Sequence, residues 1–218
     1  MNVSKTIKIF ALSALFLAVK MPASLAEEYV ILAFGDSLMA GYGLPEEQGF
    51  PHQLETALNQ LGHNVTAVNG GVSGDTTSGG LSRLEWVLSG MKKPDLVILE
   101  LGANDALRGI APKVTRANME KMLFILKKAQ IKTLVAGMVA PPNMGAEYGA
   151  AFNRIYPELA QKFNYVLYPF FLDGVAGNSD LNLADALHPN SDGVAIIVER
   201  ITPYILKNDK YFDVAANQ

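Results

Sequence analysis

The chain has 218 residues, half of them apolar and 18% charged, the size and composition of one globular domain with a substantial core. No charge run or low-complexity tract points to disorder. A formal net charge of −3 argues against nucleic acid, which needs a basic surface on its partner. The absence of cysteine excludes disulfides and a lipidated N-terminal cysteine.

In chain order, Lys5 and Lys8 precede the apolar run Phe10–Val19. Met21–Ala26 (MPASLA) then places Ser24 and Ala26 at the −3 and −1 positions of a cut after Ala26. This is the pattern of a secretory signal peptide, and ten apolar residues are too few to span a bilayer. Residues 1–26 are expected to be removed, giving a periplasmic or secreted protein that begins at Glu27. Removal takes away three lysines and no acid. The remaining 15 basic and 21 acidic residues carry a net −6, so no stable membrane anchor is expected after cleavage.

Beyond the leader, short apolar runs alternate with amphipathic segments. Tyr29–Phe34 (YVILAF) reads as a buried parallel strand, Val65–Val68 as a weaker one and Asp95–Leu101 (DLVILEL) as the strongest. Lys132–Val139 and Tyr165–Tyr168 complete about five strands. Leu54, Leu58 and Leu61 follow helical spacing, as do Met119, Met122, Leu123 and Leu126, then Phe152, Ile155, Leu159 and Phe163, and finally Val194–Ile205. The methionines at that spacing read as core. The alternation predicts a single α/β domain over residues 27–207, a parallel sheet with helices on both faces. A loose polar tail is expected over 208–218.

Ligands in such a sheet sit at the carboxyl ends of the strands. After the first strand stands Gly35-Asp36-Ser37-Leu38, where a serine on the turn presents its hydroxyl at the site edge and Gly35 eases the turn. Met39 rules out the G-x-S-x-G elbow, and no phosphate loop is present. After the second strand, Asn69–Thr77 (NGGVSGDTT) has glycines that let backbone N–H groups approach an anion. After the third, Asn104 of Gly102-Ala103-Asn104-Asp105 can donate its amide to a developing oxyanion. Each of the three is equally an ordinary turn, a flexible loop or a helix cap taken alone. Asp185-Ala186-Leu187-His188-Pro189 is more distinctive: Asp185 can fold back onto one ring nitrogen of His188 and leave the other for a serine proton. His52 and His63 read as solvated or packed residues. With no cysteine and no second histidine at ligand spacing, D-x-x-H is not read as a metal site.

Taken together, FGDSLMAGYG (34–43), NGGVSGDTT (69–77), LGANDALRG (101–109) and DALHP (185–189) resemble the SGNH (GDSL) hydrolase family, over nearly the whole chain after the leader. Within it the chain looks most like the bacterial arylesterase, thioesterase and lysophospholipase group. The resemblance implies the flavodoxin-like SGNH fold, Ser37 as nucleophile, His188 as general base and acid, and Asp185 as its orienter. It also implies an oxyanion hole from the Ser37 and Gly74 N–H groups and the Asn104 side chain. The implied substrate is a small acyl or aryl ester, and no cofactor or metal is required. A carbohydrate deacetylase or acyltransferase with the same triad is the alternative, and a binding module that keeps the fold would be expected to have lost Ser37, Asn104 or His188. Asp75–Gly80 and Ala140–Gly149 (APPNMGAEYG) are expected to wall the pocket. The first, glycine-rich and without a large apolar residue, is expected to move.

Overall fold

The computed structural model describes residues 27–207 together with Asp209 and Phe212. The expected leader, residues 1–26, lies outside these, as does most of the 208–218 tail. Five strands form the sheet: β1 (Tyr29–Gly35), β2 (Val65–Gly71), β3 (Leu96–Glu100), β4 (Lys132–Ala136) and β5 (Val166–Tyr168). They are all parallel, in the order β2-β1-β3-β4-β5. Every residue of β1 and β3 is buried, which explains why their sequences show no alternation and, apart from Glu100 at the end of β3, no charge.

The helices are α1 (Ser37–Ala40), α2 (Phe50–Gln60), α3 (Thr77–Ser89), α4 (Ala103–Leu107), α5 (Pro112–Lys128), α6 (Ala146–Asn153), α7 (Ile155–Phe163) and α8 (Ser191–Leu206). The chain runs from β1 through α2 out to β2 and returns past β1 through α3 to β3; α2 packs with α8, while α5 packs with both α3 and α7. In α5 the expected stripe of Met119, Met122, Leu123 and Leu126 is fully buried. The single helix expected over Phe152–Phe163 is two, because the chain turns at Arg154 between α6 and α7. Leu61, assigned to a helical stripe from spacing, caps α2 and is exposed.

Two sequence expectations are corrected here. Asn69, Gly70 and Gly71 belong to β2, not to a loop after it, and Gly71 lies opposite Gly35 in register. A side chain at Gly71 would strike the backbone of Ala40, so this glycine admits α1 against the strand and does not serve a ligand. The tail is not loose throughout. Asp209 is buried, accepts from the Tyr29 hydroxyl and pairs with Lys132 at 2.6 Å, and Phe212 packs on Tyr29 with ring centroids 5.0 Å apart. Its two anchors are a charged and an aromatic side chain that can bury only together with those partners on β1 and β4.

Candidate active site

The order of the strands reverses at β1: the chain goes out to β2 and comes back to β3 on the other side. Such a switch point opens a crevice at the carboxyl edge. Ser37 follows β1 there and Asn104 follows β3, on neighbouring strands. Gly35 has no room for a side chain, since a Cβ would come 2.5 Å from both the carbonyl and Oε2 of Glu100. The glycine is thus required by close packing against β3, not by turn geometry. Asp36 caps α1, its Oδ1 accepting from the Leu38 N–H at 3.0 Å, and Ser37 is the helix's first residue, only 9% exposed.

The loop before α8 brings in His188. Asp185 builds this loop on itself: its Oδ1 accepts from the N–H groups of Leu187 (2.9 Å) and His188 (3.0 Å). Ala186 is forced to a left-handed φ of 58° between them. The other oxygen, Oδ2, lies 2.7 Å from His188 Nδ1, and His188 Nε2 lies 2.9 Å from Ser37 Oγ. The two backbone bonds and then the imidazole hold the Asp185 carboxyl down to about 2. Tyr42 covers the imidazole, their ring centroids 4.4 Å apart.

Asn104 sits inside α4, whose cap residue is Gly102, so the capping role is not the one it fills. Its Nδ2 donates to Asp36 Oδ2 at 3.0 Å. Gly74, between β2 and α3, is tied in less directly: its carbonyl accepts from Arg108 Nη2 at 2.8 Å, and Arg108 closes α4 onto the Asn104 carbonyl at 3.1 Å. Thus Ser37, His188 and Asp185 are joined hand to hand. Asn104 reaches them through Asp36, and Gly74 through Arg108.

Several supporting residues escaped the sequence reading. Asp105 is fully buried and accepts from the Thr77 N–H (2.8 Å), the Thr77 hydroxyl (2.5 Å) and the Thr115 hydroxyl (3.0 Å). Within the expected loop Asp75–Gly80, Thr77–Gly80 is therefore the first turn of α3, tied to Asp105 through Thr77. Arg83 donates to Asp75 (2.6 Å) and to the carbonyls of Gly70 and Gly35 (both 2.8 Å), clamping the ends of β1 and β2. Beneath Ser37, Asp36 and Glu100 form a buried carboxyl pair. Burial pushes Asp36 up to about 6, and burial followed by the Asp36 charge drives Glu100 well above the usual carboxylate range. An acid inside the most apolar strand was the available signal for Glu100. Among the described residues no group of three or more His, Asp or Glu is arranged to hold a metal ion.

At the carboxyl edge, Tyr42, Val72, Leu107, Val139 and Leu187 are exposed, five of the ten exposed large apolar side chains among the described residues. In the second expected wall segment, Tyr148 turns inward, bonding the Ile110 carbonyl at 2.8 Å and stacking on Phe152.

Residues 33–196 match the model of the GDSL-like lipase/acylhydrolase family. The chain is 39% identical over 194 residues to an arylesterase of Vibrio mimicus, covering 89% of this chain and 96% of that protein. It is 36% identical over 169 residues to the thioesterase 1/protease 1/lysophospholipase L1 of Escherichia coli K12, covering 78% and 79%. The crystal structure of AlinE4, an SGNH-hydrolase family esterase, superposes with a TM-score of 0.73 at 48% identity, over 84% of this chain and 98% of that one. With the site's geometry in place, these likenesses establish that the chain belongs to the GDSL-like lipase/acylhydrolase family of SGNH ester hydrolases.

Proposed function

We propose that this ester hydrolase works through an acyl-serine intermediate, with Ser37 as nucleophile, His188 as general base and then acid, and Asp185 as the group that orients His188. The observation that carries the reading is the single imidazole within hydrogen-bond reach of both partners, 2.9 Å from the Ser37 hydroxyl and 2.7 Å from the Asp185 carboxylate. Asp185 favours the tautomer with hydrogen on Nδ1, so Nε2 accepts the serine proton as Ser37 Oγ attacks the acyl carbon. The imidazolium then returns that proton to the leaving oxygen. Water, deprotonated by Nε2, attacks the acyl-serine in the second half; the acyl–Oγ bond breaks and Nε2 gives the proton back to Ser37 Oγ. The Ser37 and Gly74 N–H groups and the Asn104 amide hold the oxyanion.

For substrate, this reading takes acyl and aryl esters, with acyl-thioesters or lysophospholipids as further acyl donors. The apolar rim of Tyr42, Val72, Leu107, Val139 and Leu187 favours an acyl or aryl group over a polar sugar, which weighs against a carbohydrate deacetylase. The likeness to an arylesterase and to a thioesterase/lysophospholipase supports the same range. We place the protein outside the cytoplasm, in the periplasm or the medium, on the Phe10–Val19 and Met21–Ala26 pattern. N-terminal sequencing of exported protein should find Glu27 first, and a retained leader would refute export by cleavage. The catalytic reading is tested by a fluorophosphonate: labelling must fall on Ser37 and abolish aryl-ester hydrolysis. Labelling elsewhere, or hydrolysis by Ser37→Ala, overturns it.

A further inference from the structure

Two carboxyl side chains, Asp36 and Glu100, meet in the fully buried floor beneath the nucleophile. Neither takes part in an ion pair among the described residues. Arg83, which bonds the backbone beside this floor, spends its Nη2 on the Gly35 carbonyl, its Nη1 on the Gly70 carbonyl and its Nε on Asp75. Glu100 Oε2 accepts from the Asp36 N–H at 3.3 Å, while Glu100 Oε1 is buried without a donor. Asp36, by contrast, meets a donor on each oxygen, and the Ser37 hydroxyl lies a further 3.5 Å from its Oδ1. Its Oδ1 takes the Leu38 N–H and its Oδ2 takes the Asn104 amide, both at 3.0 Å.

Two adjoining buried carboxylates cannot both stay ionised without a counter-charge, so one of them keeps a hydrogen. The bonding pattern says which. Asp36 faces only donors and is served as an anion. Glu100 has a free buried oxygen and an acid beside it, and is served as a donor. An Asn amide nitrogen carries two hydrogens in one plane. When Asp36 accepts one of them, the plane is fixed and the other hydrogen has a single direction left. We propose that Glu100 is a positioning residue for the oxyanion site: as a neutral acid it donates its hydrogen to the Asp36 carboxylate, which holds Asn104 by one amide hydrogen and leaves the second aimed at the substrate oxygen. The inference rests on the reading of Asn104 as an oxyanion donor.

The arrangement also limits charge. A doubly ionised pair under Ser37 would repel the forming oxyanion, whereas one proton on Glu100 leaves a single negative charge. That charge interacts favourably with the imidazolium of His188.

Infrared spectroscopy of the intact enzyme at neutral pH should contain the band of a protonated carboxylic acid, and Glu100→Gln should remove it. Absence of the band from the native enzyme, or its persistence in Glu100→Gln, overturns the proposal without any assay. Glu100→Gln keeps a neutral donor of the same shape, so kcat should stay within about threefold of native. Glu100→Leu keeps the volume and loses the donor, so kcat should fall about 10- to 100-fold with KM nearly unchanged, somewhat less than deletion of the donor itself. In an Asn104→Ala background the same Glu100→Leu change should cost little more, because the two act through one group. Equal losses in both backgrounds, native kcat in Glu100→Leu, or loss in Glu100→Gln as large as in Glu100→Leu would each refute a role through Asn104. Native kcat in Asn104→Ala would instead overturn the oxyanion reading underneath, while the infrared band still decides where the proton sits. Should Glu100→Leu fail to fold, Glu100→Gln and the band remain decisive.

Discussion

His188 Nε2 and Ser37 Oγ stand 2.9 Å apart although 151 positions separate them in the chain. The contact exists because α8 returns to pack on α2, which delivers the loop before α8 to the carboxyl edge beside β1. Ser37→Ala and His188→Gln should each reduce aryl-ester kcat by at least about 10³-fold, with melting temperatures within a few degrees of native. Steady-state kinetics and thermal unfolding of both variants check this.

Asp185 does two jobs, and substitutions should separate them. Asp185→Asn keeps an oxygen for the Leu187 and His188 N–H groups but offers the imidazole no anion. It should lower kcat by about 10²–10⁴ while the loop persists, the upper figure being the effect of the equivalent change in serine proteases. Asp185→Ala removes the backbone bonds as well and should be the less stable of the two. Equal stability of the two variants, read from thermal melts, would mean the two backbone bonds contribute nothing to the loop.

Asn104→Ala should lose about 10²–10³ in kcat with KM nearly unchanged, since negative charge builds on the substrate oxygen only toward the transition state. Asn104→Asp should be at least as inactive. It sets a third carboxyl against Asp36 and Glu100, so it should also unfold more readily than Asn104→Ala. Kinetics and melts of the pair decide both points.

Asp105 ties the start of α3 to the body of the protein. Asp105→Ala leaves the Thr77 N–H and hydroxyl buried without their acceptor and should cost about 2–4 kcal/mol of stability. Amide exchange at Thr77–Gly80 should be slow in the native protein, with or without a covalent inhibitor, and fast in the variant. Fast native exchange would restore the mobile-loop expectation.

Acid and near-neutral pH should act through different groups. Asp36 is raised from 3.8 to about 6, so the folded protein holds its proton more tightly than the unfolded chain. The stability this confers is fully present below about pH 4 and is lost as pH rises through about 6, an effect on the order of 2–3 kcal/mol. Asp185, lowered to about 2, acts in the opposite sense: its contribution is present above about pH 4 and is lost as pH falls toward 2. Denaturant titrations at pH 4, 5, 6 and 7 should show stability falling as pH rises, less steeply in Asp36→Asn, where only the raised Glu100 still acts in this sense.

The strands were legible because a strand buried on both faces leaves a mark in the sequence that needs no partner to be read: an apolar run without alternation such as YVILAF or LVIL. Ser37 and Asn104 were legible for a related reason, since each stands just after such a run at the carboxyl edge of the sheet, whereas Asp185 and His188 follow no strand and were legible only as the D-x-x-H pair before α8. The limits of that logic appear at β2. Asn69, Gly70 and Gly71 look like a loop because glycine is a poor strand former, yet α1 presses on the strand there and only glycine admits it.

By itself, then, the sequence determined the α/β class, the approximate strand positions and the family, and it singled out Ser37, Asp185 and His188 as candidates, because local apolar pattern and short motifs encode each of these. Only the tertiary structure decided what those residues lean on. That Asp36 meets Glu100, that Asp105 holds Thr77, that Asn104 bonds Asp36 in place of capping α4, and that Asp209 and Phe212 are buried all depend on contacts between distant segments. A carboxyl group in a sequence carries no sign of whether it will face water, a cation or another carboxyl. Burial and neighbours set its charge, and both exist only once the chain has folded.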